Sequence, residues 1–166
     1  MKHDDHVSRV LADWSQERPD LDASPIGIIA RLHRIAARLT PALTRVYSAH
    51  GLLEGEFDVL ATLRRQGEPF GASAGQLASR TMVTTGAMTK RIDKLEAAGF
   101  VSRSVSTEDA RTRVISLTDR GREVIDAAFT DHVANEHGLL ASMSAADRRA
   151  LVEILTRWSE RLEASP

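Results

Sequence analysis

The sequence contains no cysteine and few aromatic residues, and each shortage narrows what the protein can be. The 166 residues include no Cys, two Trp, one Tyr and four Phe. Without thiols the chain forms no disulfide, no thiolate metal site and no cysteine-based redox centre. No apolar run approaches the roughly 18–20 residues of a membrane-spanning helix, and residues 1–18 lack the apolar core of a signal peptide. We therefore expect a cytoplasmic protein with no membrane partner.

The sequence also lacks a strong net charge, although its charges are unevenly distributed. The formal net charge is −1. Residues 80–122 carry nine basic and five acidic side chains, a net of +4, and the remainder carries 13 basic and 18 acidic ones, a net of −5. A basic middle on an acidic body is typical of a chain with one localised surface for a polyanion.

What the sequence does contain is a succession of helical patterns. In the first, apolar side chains recur with the spacing i, i+3, i+4, i+7, from Val7 to Trp14. In the second, Ser24 and Pro25 form a helix start, Pro41 lies inside the helix where we expect a kink, and Gly51 ends it. The predicted helices span residues 5–17, 25–50, 54–65, 74–80, 85–98, 119–137 and 145–162.

One segment departs from the helical period. Residues 100–104 and 113–117 alternate loosely around a polar turn, which predicts a two-stranded hairpin with a charged tip. An isolated hairpin is marginally stable, so it must pack on the preceding helix. The predicted fold is mainly α with a small β-hairpin wing: N-terminal dimerisation helices in 1–50, a winged helix-turn-helix domain in 51–118 and C-terminal dimerisation helices in 119–166. The apolar faces of the outer helices require a partner, and a second copy is the simplest one.

Four stretches in this order and spacing resemble the MarR family of transcriptional regulators. They are Gly75-Gln-Leu-Ala-Ser79, the run from Thr84 to Val101, Asp109-Ala-Arg-Thr-Arg113 and Ser116-Leu-Thr-Asp-Arg-Gly121. The resemblance implies a homodimer whose two winged lobes bind successive major grooves of double-stranded DNA. It implies a regulator rather than an enzyme, and one without a cofactor.

The helix after the predicted turn carries the candidate major-groove contacts. Its N-terminal half is small and polar, with Thr84, Thr85, Gly86, Thr89 and Lys90. Glycine and threonine allow close approach of the backbone, and a helix N-terminus favours phosphate. Lys90 has the reach for a guanine edge or a phosphate. The alternative is an ordinary amphipathic helix with a solvated polar face.

The hairpin carries the candidate minor-groove contact. Arg111, at the tip, suits a narrow electronegative groove, and Asp109 is placed to orient its guanidinium by a charge-assisted hydrogen bond. Arg103 and Arg113 flank the tip as phosphate contacts. The alternative is a solvated turn with an exposed ion pair, which contributes little.

A narrower resemblance, to the urate-responsive PecS branch of the same family, lies in segments 14–22 and 56–65. It implies a small planar anionic effector, such as urate, stacked on a tryptophan and bound by charged side chains. The residues at the matching positions are Trp14, Asp58 and Arg91; Arg64 and Arg65 are both candidates for a further cation, of which we take Arg65. From periodicity alone, Trp14 is a core or interface residue. For Asp58 and Arg91 the alternative role is a structural salt bridge that ties two helices together.

Two other classes of function remain open from the sequence. His132, Glu136 and His137, with His3 and His6 elsewhere, have spacings that can bind zinc or sense pH, although no complete ligand set is evident and a solvated helix face explains them. An enzyme acting on a small aromatic acid would need a nucleophile and base or a cofactor motif, and the sequence has neither.

The wing assignment predicts that Arg111→Ala weakens DNA binding by about 1 kcal/mol or more without unfolding the protein. Losing one phosphate-proximal arginine should also lower the slope of log K against log salt by roughly one. A mobility-shift series over salt concentration measures both quantities. Unchanged affinity and slope would refute the assignment.

Overall fold

The computed structural model describes residues 5–81, 84–105 and 112–164. Within these ranges the chain forms seven helices and three strands. In chain order they are α1 (His6–Glu17), α2 (Ile26–Ala49), α3 (Glu54–Arg64), β1 (Gly71–Ser73), α4 (Ala74–Thr81), α5 (Thr85–Ala97), β2 (Val101–Val105), β3 (Arg113–Leu117), α6 (Asp119–Leu139) and α7 (Ala145–Glu163). The predicted mainly helical fold with a β wing is confirmed, and every predicted helix is present.

The chain divides into two compact units, Met1–Arg45 and Val46–Pro166. In the first unit, α1 begins at Asp5, whose carboxylate accepts a hydrogen bond from the Ser8 backbone N–H at 2.8 Å. Val7 is buried, whereas Trp14, about two helical turns later, leaves 47% of its surface exposed. Helix α2 continues through Pro41, and Gly51 after its end adopts the positive φ of +71° that favours glycine.

The second unit is built around the aliphatic faces of α3, α5 and α6. The side chains that leave at most 1% of their surface exposed there are Val59, Leu60, Leu63, Leu77, Met88, Ile92, Leu95, Ile115, Ile125 and Ala128. Helix α3 contacts α4, α5, α6 and β3, and α5 contacts α4 and β2. Helix α3 is therefore the central element on which the others pack.

The wing has one strand more than the sequence predicts. Strands β2 and β3 form the expected antiparallel hairpin, with Val101 opposite Leu117, and β1 adds to the outer edge of β3, with Gly71 opposite Ser116. The prediction of a two-stranded hairpin was therefore incomplete. The three residues of β1, which follow Gly67 and Pro69 in the chain, carry no strand signal of their own. They are extended because they pair with the edge of β3.

The caps predicted at the starts of α5 and α7 are formed, and so is the predicted glycine end of α5. Thr84 Oγ1 accepts from the Ala87 N–H at 3.3 Å at the start of α5, and Gly99 follows that helix with a φ of +74°. Ser144 Oγ accepts from the Asp147 N–H at 3.1 Å and donates to the Asp147 carboxylate at 2.6 Å. The Asp147 carboxylate thus contacts the Ser144 hydroxyl, whereas the Glu or Gln of a capping box accepts from the backbone N–H of the N-cap residue.

Helix α7 is unusual because none of its 19 residues is buried. Its exposed apolar side chains are Leu151, Val152, Ile154, Leu155 and Leu162. Helix α2 likewise exposes Ile28, Ile29, Ile35 and Leu39. Across the described ranges, no helix combines the length and the apolar character needed to cross a membrane.

The junction between α5, the wing and α6 depends on Gly121, in the first turn of α6. A Cβ on Gly121 would collide with the carbonyl oxygen of Phe100. The neighbouring Thr118 fixes the same contact, because its Oγ1 donates to the Gly99 carbonyl at 2.7 Å and its N–H to the Phe100 carbonyl at 3.1 Å. Helix α6 and the start of β2 therefore approach as closely as their backbones allow.

We expect Gly121→Ala to lower the free energy of unfolding by about 1–3 kcal/mol, since backbone rather than a flexible side chain must move. Gly138→Ala, on the same helix, is the matched control: nothing lies near its Cβ position. Alanine there should raise stability by about 0.5–1 kcal/mol through helix propensity. Urea denaturation measures both, and equal effects at the two positions would contradict the close-packing argument.

Candidate nucleic-acid interface

Helix α5 presents the polar surface that the sequence predicts. Its buried side chains are Met88, Ile92 and Leu95. The opposite face is solvent-exposed and carries the five predicted major-groove residues, Thr84, Thr85, Gly86, Thr89 and Lys90. Nothing lies within 4 Å of the Cβ position of Gly86. The structure thus brings these five residues together at the N-terminal end of α5.

Two of the predicted wing residues, Asp109 and Arg111, lie outside the described residues, and their roles stay predictions. Arg113, the first residue of β3, is exposed and opposite Val105 of β2. Its predicted phosphate contact also stays a prediction.

Arg103 of β2 has partners that the sequence reasoning missed. Its guanidinium forms ion pairs with Asp93 and Glu96, both on α5, and only 30% of its side chain is exposed. Hydrogen bonding to Asp93 is the main cause that raises the pKa of Arg103 above its usual value. The two acids are three residues apart and so lie on one face of α5. Arg103 therefore ties β2 to α5, and its predicted phosphate contact stays a prediction.

The candidate effector residues of the second unit lie at the α3–α5 contact. Asp58 is half-buried on α3, and burial, followed by repulsion from Glu54, raises the pKa of its carboxyl. The charges of Arg91, Arg65 and His132 oppose that rise. A half-buried carboxyl surrounded by cations is a typical component of a binding site for a polar ligand.

Arg91 of α5 extends along the backbone of α3. A Cβ on Gly55 would collide with its guanidinium, so the absence of a side chain at Gly55 allows the two helices this contact. Arg91 Nη1 is buried, and within the described ranges it has no hydrogen-bond partner. Among the described residues no ion pair joins Arg91 to Asp58, so the structural salt bridge that the sequence left open is not formed.

The two candidate arginines at the end of α3 have different environments. Arg64 Nε donates to Asp126 Oδ1 of α6 at 2.7 Å, and its guanidinium lies 5.1 Å from the Phe70 ring centre. Arg65 is exposed, and its charge acts on Asp58. The structure thus gives Arg64 a packing role and leaves Arg65 as the cation available to a ligand.

Trp14 lies in the first unit, where it borders an open cavity of about 290 Å³. Leu21, Pro25 and Ile26 form the apolar part of the lining. Arg18, on the rim, is held by Asp20 at 2.6 Å. The indole is therefore accessible for stacking, and its predicted contact with a ligand stays a prediction.

An aromatic cluster beside Asp58 was not foreseen. The Tyr47 ring stacks on Phe57 with a centroid distance of 4.3 Å, and His132 lies 5.7 Å from Tyr47 and 5.1 Å from Phe57. The Tyr47 hydroxyl and His132 Nδ1 are 3.4 Å apart. Burial, followed by the charge of Asp58, raises the pKa of Tyr47. The three residues lie on different helices or far apart in the chain, so no local pattern in the sequence could have revealed the cluster.

The histidines do not assemble a metal centre in the part of the chain that the structure describes. His132 Nε2 lies 3.3 Å from Glu136, and His50 Nε2 lies 2.8 Å from Asp131. No group of three or more His, Asp or Glu side chains with metal-binding geometry occurs within those ranges.

Helix-turn-helix, three-stranded wing and flanking helices define a winged helix-turn-helix DNA-binding protein. Residues 52–112 match the model of the MarR family. The chain is 37% identical to the transcriptional regulator PecS of Dickeya dadantii over 94% of both chains, and 32% identical to the transcriptional repressor Rv2887 of Mycobacterium tuberculosis, covering 82% of this chain and 94% of that one. The protein therefore belongs to the MarR family, whose members are transcriptional regulators and not enzymes.

A solved structure supports the same fold. BpsR of Bordetella bronchiseptica, whose DNA binding is regulated by 6-hydroxynicotinic acid, superposes with a TM-score of 0.70. The match covers 84% of this chain and 96% of BpsR at 22% identity. At that identity the likeness concerns the fold.

The ion pairs of Arg103 allow a test of its two candidate roles, because the expected change in DNA affinity has opposite signs for the two. If Arg103 contacts phosphate, the double variant Asp93→Asn/Glu96→Gln frees the guanidinium and removes two negative charges, so DNA binding becomes tighter. If Arg103 positions the wing, the same variant weakens binding. We expect roughly two- to tenfold weaker binding, on the order of 0.4–1.4 kcal/mol, measured by fluorescence anisotropy.

Arg103→Gln should reproduce the loss without lowering the salt slope, because a positioning residue releases no counterion. Asp119→Asn, which removes an exposed charge at the start of α6, controls for electrostatics alone. Tighter binding by the double variant would establish the phosphate contact instead.

Proposed function

We propose that this protein is a homodimeric repressor that occupies a pseudo-palindromic operator and is released from it by a small planar anion. The observation that carries the DNA-binding part is the exposed polar half of α5, opposite a face that is fully buried. A dimer of winged lobes places two such helices in successive major grooves, with half-sites about one helical turn, roughly 34 Å, apart. Repression then follows from occupancy of the promoter.

The second copy is the occupant we propose for the exposed apolar faces of α2 and α7. A helix with no buried residue gains little from tertiary packing, although most of the stability of helices in proteins comes from packing an amphipathic face. Each large aliphatic side chain that a partner covers contributes about 1.5–3 kcal/mol. The family resemblance, in which the N- and C-terminal helices form the dimer interface, supports this choice.

We expect the protein to be a dimer at micromolar concentration. Light scattering coupled to size exclusion should give twice the 18.2 kDa chain mass. Ile154→Glu, at an α7 side chain that is 53% exposed, should shift the population to monomer because a charge would be buried at the interface. Glu153→Gln on the same helix controls for composition. If the wild-type protein is folded and helical but has the mass of a monomer, the proposal is contradicted.

The effector part rests on Asp58, Arg65 and Arg91. A guanidinium that has a buried N–H without an acceptor is costly, by about 1–3 kcal/mol, and an anionic ligand would relieve that cost. Urate is planar and mono-anionic at neutral pH; its anionic edge suits a guanidinium, and its ring N–H groups suit the Asp58 carboxylate. The regulation of BpsR by 6-hydroxynicotinic acid provides a precedent for planar ligands within this fold.

Release of DNA requires that the ligand prefer the DNA-incompetent state. Arg91 belongs to α5, the same helix that carries Lys90 and Thr89. A ligand that pulls the Arg91 guanidinium toward Asp58 also shifts the recognition helix, which supplies the differential affinity. By linkage, DNA must weaken the ligand by the same factor.

Urate should therefore raise the melting temperature and lower DNA affinity, with salicylate weaker because it has fewer donors. Arg91→Gln and Arg65→Gln should lose the response, and Gly55→Ala should reduce it by displacing Arg91 without removing its charge. Arg64→Gln, which breaks the Asp126 contact, should retain it. Thermal shift and mobility shift at millimolar urate measure these effects.

Trp14→Ala tests the stacking contact that the resemblance implies: it should lose the urate response and keep DNA affinity. If wild-type protein ignores millimolar urate in both assays, the effector assignment is wrong and the dimeric DNA-binding function stands independently.

A further inference from the structure

Helix α2 has a charge composition that the proposed function does not use. Its 24 residues contain Arg31, Arg34, Arg38 and Arg45 and no Asp or Glu. The first three are spaced i, i+3 and i+7, so they lie along one side of the helix. Like charges at this spacing each destabilise a helix by a few tenths of a kcal/mol. No acidic residue of α2 offsets this repulsion.

The arginine row borders an open cavity of about 280 Å³ in the first unit, which we call the arginine cavity. Its lining consists of Asp5, His6, Arg31, Arg34, Ile35 and Arg38. Three guanidiniums and an imidazole thus face one acidic side chain. The volume is close to the lower end of the range for small-molecule sites, about 300 Å³.

The single carboxylate in the lining is already engaged. Asp5 accepts from Arg31 Nε at 2.9 Å and from Arg31 Nη2 at 2.8 Å, a two-point pair that keeps the pKa of Asp5 well below its usual value. Arg31 also donates to the Gly27 carbonyl at 2.7 Å and to Ser8 Oγ at 2.9 Å. Arg31 and Asp5 therefore largely neutralise each other at one wall of the cavity.

Arg34 and Arg38 differ from Arg31 in this respect. Both are exposed, and within the described ranges neither guanidinium has a hydrogen-bond or ion-pair partner. They are one turn apart, with Cβ atoms about 5–6 Å from each other. Two guanidiniums at this separation can each bind one of two linked oxyanions through parallel N–H donors.

We propose that the arginine cavity is a binding site for a small phosphate-bearing ligand with two linked phosphate groups. Arg34 and Arg38 bind the phosphates, and His6 supplies a further nitrogen at the rim. The site lies wholly in the first unit and is separate from Asp58, Arg65 and Arg91.

Inorganic pyrophosphate is the probe for this site. Calorimetric titration of the full chain, in buffer without divalent cations and with ionic strength matched by sodium chloride, should show saturable binding. Arg34→Gln/Arg38→Gln should weaken the affinity at least tenfold, and each single variant by a smaller factor. Arg45→Gln, which removes the same charge from the same helix outside the cavity, should leave it unchanged.

Three outcomes would overturn the proposal. Equal weakening by Arg45→Gln would mean nonspecific attraction to a basic helix. Loss of binding in Lys90→Gln, with Arg34→Gln/Arg38→Gln unaffected, would place pyrophosphate on the DNA-binding face. If Arg34→Gln/Arg38→Gln is a monomer where the wild-type protein is a dimer, and its pyrophosphate affinity is unchanged, the two arginines bind carboxylates of a second copy instead. Circular dichroism confirms that each variant is folded.

Discussion

Every feature of the candidate DNA surface depends on the burial of one face of α5. Met88, Ile92 and Leu95 are almost completely excluded from solvent, and each contributes about 1.5–3 kcal/mol through that burial. Since these positions share a face, fixing them also fixes the opposite face. The orientation of Thr89 and Lys90 toward solvent is therefore held by several kcal/mol of core packing, and no contact of their own is required.

The contact between α5 and α3 is less favourable than the apolar packing of α5, because it contains an unsatisfied polar group. Arg31 in the first unit satisfies its guanidinium with four hydrogen bonds to Asp5, Ser8 and Gly27. Arg91 leaves a buried N–H without an acceptor beside a half-buried carboxyl. Proteins tolerate such costs mainly at functional sites. The difference between these two arginines is why we place the effector at α3–α5.

Much of the fold could be predicted because its signals are local. Some fifteen residues contain all the signals that define α5: its apolar spacing, the Thr84 cap before it and Gly99 after it. The polar residues on the exposed face of α5 followed from the same pattern, as did the capping pair at Ser144 and Asp147. Strand β1 was missed because its three residues become extended only through pairing with β3, which is distant in sequence.

The sequence by itself determined the order of elements, the helix boundaries and which side chains of α5 face outward, because helix periodicity and capping act over a few residues. Only the tertiary structure decided the partners of individual charges. The sequence predicted Arg103 as a phosphate contact, and only the fold placed Asp93 and Glu96 beside it. Arg64 and Arg65 were equivalent in the chain until Asp126 engaged one of them. An arginine has a long and flexible side chain, so its partner depends on which distant carboxylate the fold brings within reach.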